Sequence, residues 1–206
     1  ALEGLPPLEK PVDAEVFLIG LGYQHPFQLT MQALQSLQSC DIMFSNFSAR
    51  KVSHFLGLFA RPVRPVVFRA DGQQASTCTR TIMNKARRGR RIALVTRANP
   101  VVFGQLAYRL VQACKREGVV CKVPTSVSIF ELAPCLTGGF TNNGTGIQIR
   151  NRNSIHHRID PKIPLVVYLP YNESGRDRLQ GVLSRRYPQE HGCFLIPGAG
   201  QREFHP

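Results

Sequence analysis

The sequence lacks several features that would place it in other classes of protein. No apolar run reaches the roughly 18 residues that a membrane span needs. The amino terminus has no basic segment followed by an apolar stretch, so we expect no secretory signal. The six cysteines contain no C-x-x-C pair, which argues against a zinc site and predicts that no metal is bound. Several cysteines lie within apolar patterns, as the reduced thiols of a cytoplasmic protein do.

Acidic residues are scarce relative to basic ones. The chain has 13 Asp and Glu residues against 26 Lys and Arg residues, which gives a formal net charge of +13. Such a balance is typical of proteins with an anionic partner such as RNA, although a solvated basic surface produces the same composition. The densest basic run, 85–91, is predicted to cross a helix end and a strand start, where cations also stabilise the helix dipole.

Apolar periodicity predicts that strands and helices alternate along the chain. The clearest unit is 90–123, where an apolar strand, a helix with one apolar face and a short second strand follow one another. A similar unit covers 16–45, in which Thr30 is predicted to be the N-cap of the helix. Between them, the pattern predicts a helix over 48–58, an edge strand over 62–68, a polar loop over 72–76 and a helix over 78–85. Further on, it predicts strands over 164–169 and 193–196 and a helix over 174–186.

These β-α-β units predict an α/β fold, because parallel strands need such crossover connections. We expect two α/β domains: residues 13–137 with a mostly parallel sheet flanked by helices, and residues 138–206 with a smaller, mixed sheet. Open α/β sheets bind ligands at the carboxyl ends of their strands, so the loops there are the place to look for function. The first such loop contains Gly20 and Gly22 but lacks the third glycine of a dinucleotide fingerprint, which argues against a nicotinamide cofactor.

Four stretches carry a resemblance to a known family. They are 16–45, with G-x-G and then Leu-Thr; 99–104, Asn-Pro-Val-Val-Phe-Gly; 123–128, Val-Pro-Thr-Ser-Val-Ser; and 165–169 with 198–202. In this order they resemble the tetrapyrrole methylase family, the class III S-adenosylmethionine (SAM) methyltransferase fold. The chain has Ala98 and Asn99 where the family has Gly-Asp, and Thr125 where it has glycine. Because the sequence ends soon after Gln201, the resemblance implies that a last strand of the second domain is missing or trimmed.

The resemblance implies a SAM site between the two domains, built from backbone at the strand ends. Small residues and few charges there suit a bent nucleoside cofactor. The residues expected to bind it are Gly20, Gly22, Ala98, Asn99, Pro100, Val102, Phe103, Ser126, Ser128, Ala133, Tyr168, Leu169, Pro197, Gly198 and Ala199. Other interpretations are that Val102 and Phe103 are core residues, that the two first glycines only turn the chain, and that the serines cap a helix beginning near residue 129.

Four side chains in or near these loops are candidates for catalysis, namely Tyr23, His25, Arg97 and Tyr108. His25 would act as a base near neutral pH, or else it is an ordinary histidine on a solvent-facing loop. Arg97 would bind a carboxylate or phosphate of the acceptor through its planar guanidinium, or else it is one more surface cation.

The resemblance therefore implies a cytoplasmic SAM-dependent methyltransferase, a homodimer as the family usually is, with no membrane segment. The acceptor is expected to be a small, tetrapyrrole-like molecule or a peptide. One alternative is an rRNA-directed methyltransferase, which fits the basic charge. The other is a catalytically inactive relative that binds SAM or a partner protein, which the departures at 98, 99 and 125 allow.

Overall fold

Six strands and five helices make up the part of the chain that the structure describes. The computed structural model describes residues 14–22, 28–45, 72–96, 98–102, 104–137, 146–151, 155, 158–168 and 173–193. The strands are β1 (Glu15–Gly20), β2 (Ile42–Ser45), β3 (Ile92–Thr96), β4 (Val120–Lys122), β5 (Gln148–Asn151) and β6 (Leu165–Tyr168). The helices are α1 (Met31–Gln38), α2 (Gly72–Ala86), α3 (Gln105–Glu117), α4 (Ile129–Thr137) and α5 (Glu173–Leu183).

The first four strands form one parallel sheet in the order β2-β3-β1-β4. All six residues of β1 are buried, and β1 pairs with β3 on one side and β4 on the other. Because all four strands run the same way, their carboxyl ends meet at one edge of the sheet. The expected α/β fold with a mostly parallel sheet is therefore confirmed.

Helices cover both faces of this sheet. On one face, α2 and α3 pack against alternate strand residues, which include Val16, Leu18 and Leu94. On the other, α1 packs against the residues between them, such as Phe17 and Ile19. This alternation follows from the period of two along a strand, and a continuous apolar strand is what a sheet covered on both faces requires.

The ends of the helices follow local rules of capping. The Thr30 hydroxyl accepts the Ala33 N–H at 3.2 Å, so the predicted N-cap of α1 is confirmed. Helix α3 ends at Gly118, whose φ of 68° is the left-handed conformation that glycine adopts most easily. The polar loop predicted over 72–76 is wrong, since α2 begins at Gly72. Buried Ala75 and Cys78 continue the apolar face of that helix, and tertiary packing overrides the polar local sequence.

The described residues from 130 onwards form a second unit. Within it, β5 and β6 pair in parallel, with Gln148 opposite Leu165 and Asn151 opposite Tyr168. The Gln148 side chain bonds the backbone of Asp160 and Ile163, and this holds β5 beside the segment that leads into β6. The sequence pattern missed β5 because its residues are polar. The boundary near 138 and the mixed character of this sheet stay predictions, and the predicted elements over 48–58, 62–68 and 194–196 lie outside the described residues.

A cluster of charges centred on the buried Glu15–Arg91 pair lies at the opposite edge of the first sheet, where β1 begins. The Glu15 carboxylate pairs with Arg91 Nη2 at 2.6 Å and also with the ammonium of Lys122. The guanidinium of Arg91 lies 5.3 Å from the centre of the Phe17 ring, and the Arg91 backbone N–H donates to Asp41 at 2.9 Å. The basic run over 85–91 therefore ends in a buried ion pair rather than on the surface.

The cysteines differ in burial, which predicts how they react. Burial raises the pKa of the Cys40 thiol to about 12 and that of Cys78 to about 11, whereas Cys135 and Cys193 are exposed. Because only the thiolate reacts, and pH 8 is well below both raised pKa values, we expect native protein at about pH 8 to be alkylated at Cys135 and Cys193 before Cys40 or Cys78. Iodoacetamide labelling with peptide mass spectrometry measures this. Labelling of Cys40 first would contradict the core described above.

No helix in the described ranges combines the length and the apolar composition that crossing a bilayer requires.

Candidate active site

Three loops meet at the carboxyl end of the sheet, around Gly20. A Cβ atom added to Gly20 would lie 2.5 Å from the carbonyl oxygen of Ala98 and 2.7 Å from the hydroxyl oxygen of Ser126. Ala98 belongs to the loop after β3, and Ser126 to the loop after β4. The last residue of β1 is therefore glycine because two other loops occupy the space of a side chain.

The loop after β3 is closed by its own hydrogen bonds. The Thr96 hydroxyl donates to the Ala98 carbonyl at 2.8 Å. The side-chain oxygen of Asn99 accepts the Val101 N–H at 3.1 Å, and the Asn99 carbonyl accepts the Val102 N–H at 3.2 Å. This is the turn that Asn favours before proline, because its short side chain bonds the backbone two residues on.

The loop after β4 is held by two side chains, one from the N-cap residue of α1 and one from α1 itself. The Thr30 hydroxyl donates to the Thr125 carbonyl at 2.7 Å, and the Thr125 N–H donates to the Gln32 side-chain oxygen at 2.9 Å. A third bond joins the two loops directly, from Asn99 Nδ2 to the Ser126 carbonyl at 3.3 Å. The sequence pattern predicted Thr30 only as a helix cap and missed Gln32. No local signal could have found this contact, because the bonded residues are 93 positions apart in the chain.

The hydroxyl of Ser126 is buried and has no hydrogen-bond partner among the described residues. A buried polar group without a partner costs about 1–3 kcal/mol, so a ligand that bonds this hydroxyl would recover part of that cost. The interpretation of Ser126 as a helix cap is wrong, because its hydroxyl makes no such bond. A neutral hydroxyl next to a side-chain-free backbone fits a bent nucleoside ligand.

The first unit brings together a large share of the residues predicted to bind a cofactor. Hydrogen bonds and close contacts join Gly20, Ala98, Asn99 and Ser126, as described above. The same strand-end loops contain Gly22, Pro100, Val102 and Ser128. Gly22 has a φ of 75°, and a Cβ there would lie 2.5 Å from the Gln28 Cβ, so this glycine is required for the turn.

The other predicted site residues lie elsewhere or outside the described residues. In the second unit, Ala133 is buried on α4, and Tyr168 is the half-buried last residue of β6. Tyr108 is the fourth residue of α3, and its side chain is 66% exposed. The residues outside the described ranges are Tyr23, His25, Arg97, Phe103, Leu169, Pro197, Gly198 and Ala199. The roles predicted for all these residues stay predictions.

The sequence was compared with models of known protein families. Residues 15–199 match the model of the family described as Tetrapyrrole (Corrin/Porphyrin) Methylases. The chain belongs to the tetrapyrrole methylase family. This confirms the resemblance drawn from the motifs, and members of the family use SAM as methyl donor.

Individual relatives agree with the family assignment. The chain is 30% identical over 128 residues to the uroporphyrinogen-III C-methyltransferase of Synechococcus elongatus, an alignment that covers 60% of this chain and 51% of that protein. The chain thus spans about half the length of the curated relative that it matches.

Solved structures show the same fold. A uroporphyrin-III-C-methyltransferase from Thermus thermophilus superposes with a TM-score of 0.63 at 23% identity, covering 86% of this chain and 74% of that chain. A cobalt precorrin-4 methyltransferase gives a TM-score of 0.61 at 17% identity, covering 84% of this chain and 74% of that chain. At this level of identity, the two structures establish the fold of the chain.

Proposed function

We propose that this chain transfers a methyl group from SAM to a tetrapyrrole. The observation that carries the proposal is the family match over 15–199, a range that includes all the strand-end loops described above. The sequence analysis also allowed a peptide as the acceptor. That alternative gains no support, since the relatives described above are named for tetrapyrroles.

The charge of the chain supports an acidic acceptor. Uroporphyrinogen-type tetrapyrroles carry several carboxylates, and a protein with a net charge of +13 attracts such a molecule over a distance. The same charge also fits RNA, so it does not by itself distinguish the two acceptors. Arg97, directly after β3, is the residue we propose for binding an acceptor carboxylate.

In the proposed reaction, the main role of the protein is to position the methyl donor and the acceptor. SAM, when bound, supplies a methyl group on a sulfonium, which is already electrophilic. The residues around Gly20 would hold the donor and keep its position fixed, and effective transfer depends on the alignment of the two reacting atoms. Tyr23 and His25, which follow β1, and Tyr108 are proposed as the groups that contact the acceptor or its proton.

Calorimetry with SAM, followed by transfer of a labelled methyl group, tests the proposal. We expect saturable binding of SAM and of S-adenosylhomocysteine, and label in uroporphyrinogen III but not in rRNA or peptides. Absence of both binding heat and thermal shift would identify an inactive, partner-binding relative. Label in rRNA would favour an RNA methyltransferase instead, which would also bind RNA with a steep dependence on salt. We also expect the protein to be a homodimer and to lie in the cytoplasm. Analytical ultracentrifugation tests the dimer by measuring the mass of the particle in solution.

A further inference from the structure

Exposed cations gather on the outward side of α2 and α3, the side that does not pack on the sheet. They are Arg80, Arg87, Arg88, Arg90, Arg109, Lys115 and Arg116, and we call them the basic face. We propose that the basic face binds the phosphate backbone of a duplex nucleic acid, at a place separate from the methyl-transfer site. The inference concerns binding rather than methylation of the nucleic acid, so it does not depend on the proposed function.

Two contacts between α2 and α3 show that the helices lie side by side and run in the same direction. Near their beginnings, Arg109 Nη1 donates to the Ser76 hydroxyl at 2.7 Å. At their ends, Arg87, the residue after α2, pairs with Glu117, the last residue of α3, at 2.8 Å. The two carboxyl ends therefore lie together, and most of the basic face is found there, namely Arg87, Arg88, Arg90, Lys115 and Arg116.

Very little negative charge offsets these cations. Glu117 is the only acidic residue in the sequences of α2 and α3, and it is shared by Arg87 at 2.8 Å and Arg116 at 3.8 Å. The negative end of each helix dipole adds only about half a charge. The end of the basic face therefore stays strongly positive, which favours an anionic partner.

The composition of the basic face favours a phosphate backbone as that partner. All its cations except Lys115 are arginines, whose planar guanidinium can bond two phosphate oxygens at once. Helix α3 has 13 residues and is therefore about 20 Å long, a length over which one strand of a duplex carries about six phosphates. Tyr108 is the only aromatic residue of the two helices, so a single strand would find no series of stacking surfaces for its bases. A duplex, bound through its backbone, fits better.

Other anionic partners fit this surface less well. Proteins that bind an anionic membrane insert apolar side chains, and Tyr108 is the one large apolar side chain that is exposed on the described parts of α2 and α3. A second copy of the chain would bring like charges together. The acidic acceptor of the proposed reaction is expected at the carboxyl ends of the strands, whereas Arg90 lies at the opposite edge of the sheet, two residues before β3 begins.

The experiment measures, by fluorescence anisotropy, the affinity of the wild type for labelled DNA and RNA duplexes of about 20 base pairs and of two unrelated sequences. With four or more phosphates neutralised, the affinity for DNA should fall at least about 100-fold as salt rises from about 50 to about 200 mM. The two sequences should be bound equally, because contacts to the backbone carry no sequence information. The more tightly bound duplex shows which of the two backbones the basic face fits.

A variant that combines Arg88→Gln, Arg90→Gln and Lys115→Gln tests the basic face itself. These side chains are exposed, so glutamine in their place should leave the fold intact, which circular dichroism checks. Each lost phosphate contact lowers the slope of the salt dependence by about 0.9. We therefore expect the loss of affinity over the same range of salt to shrink to about tenfold or less.

The matched control combines Arg178→Gln, Arg185→Gln and Arg186→Gln. These three cations are exposed on α5 or in the turn after it, so the control loses the same three charges. Exposed Asp177 and Glu190 lie among them, and a surface of mixed sign is what solubility alone requires. We expect the control to bind the duplexes within about threefold of the wild type, since only a screened, long-range attraction is reduced.

Three results would overturn the inference. Equal losses in the basic-face variant and in the control would mean that net charge, and not this surface, attracts the duplex. A wild type that binds neither duplex at low salt would reject nucleic acid as the partner. Binding to vesicles that contain phosphatidylserine, with no binding to either duplex, would assign the basic face to a membrane instead.

Discussion

Replacing Glu15 by glutamine is expected to lower the free energy of unfolding by about 3–5 kcal/mol, as the removal of one partner of a buried ion pair does. The side chain of Glu15 is 2% exposed and that of Arg91 is 9% exposed. Without the carboxylate, the Arg91 guanidinium would stay buried against the Phe17 ring and would lose its one ion pair among the described residues. Lys122, the other partner of Glu15, is itself a cation and cannot replace the lost charge. Since the chain has no tryptophan, urea unfolding is best followed by circular dichroism.

Glu117→Gln provides the matched control. Glu117 pairs with Arg87 at 2.8 Å, but the Arg87 side chain is 52% exposed. An exposed ion pair contributes about 0–1 kcal/mol, so this variant should unfold at nearly the same urea concentration as the wild type. Similar losses in the two variants would mean that the Glu15 cluster is solvated in solution and would contradict its described burial.

Replacing Gly20 by alanine is expected to weaken the binding of S-adenosylhomocysteine by about fivefold or more, because the added methyl group forces the three strand-end loops apart. Its Cβ would lie 2.5 Å from a backbone oxygen of Ala98, which cannot rotate away, and 2.9 Å from the Ser126 Cβ. Overpacking of this kind costs about 1–3 kcal/mol, and about 1.4 kcal/mol corresponds to a tenfold change in affinity. Calorimetry gives the affinity, and urea unfolding gives the change in stability.

Gly181→Ala is the control for this variant, since Gly181 lies within α5 and, apart from its chain neighbours and the backbone of its own helix, no heavy atom of the described residues lies within 4 Å of the Cβ that would be added. Alanine is a better helix former than glycine by about 1 kcal/mol, so this protein should be as stable as the wild type or more stable, with unchanged affinity. If Gly20→Ala bound the ligand as tightly as Gly181→Ala, the loops around Gly20 would not form the donor site.

Local sequence predicted the elements of the first sheet well, for a physical reason. Strands such as β1 and β3 are continuous apolar runs, and α1 and α3 show apolar residues at helical spacing with Thr30 and Gly118 at their ends. These signals depend on residues close together in the chain. The start of α2 at Gly72 was missed because packing of Ala75 and Cys78 outweighs a polar local sequence.

Contacts between distant residues could not be predicted in the same way. The strand order β2-β3-β1-β4, the Glu15–Arg91 pair and the Gln32–Thr125 bond all depend on how the elements pack, and no local pattern encodes them. For the site, the motifs led to Gly20, Asn99 and Ser126, because the strand-end rule applies to any open parallel sheet. The sequence did not reveal that Asn99 and Ser126 are bonded, which only the position of the two loops shows.

The central place of β1 in the sheet affects how the chain can be synthesised. About 70 residues separate the end of β1 from the start of β3, and at about 5–20 residues per second this takes a ribosome several seconds. For part of that time, β1, all six of whose residues are buried in the folded sheet, lies outside the exit tunnel with neither neighbour available, and such a segment is prone to aggregate. Production of the protein should therefore benefit from additional chaperones that bind nascent chains.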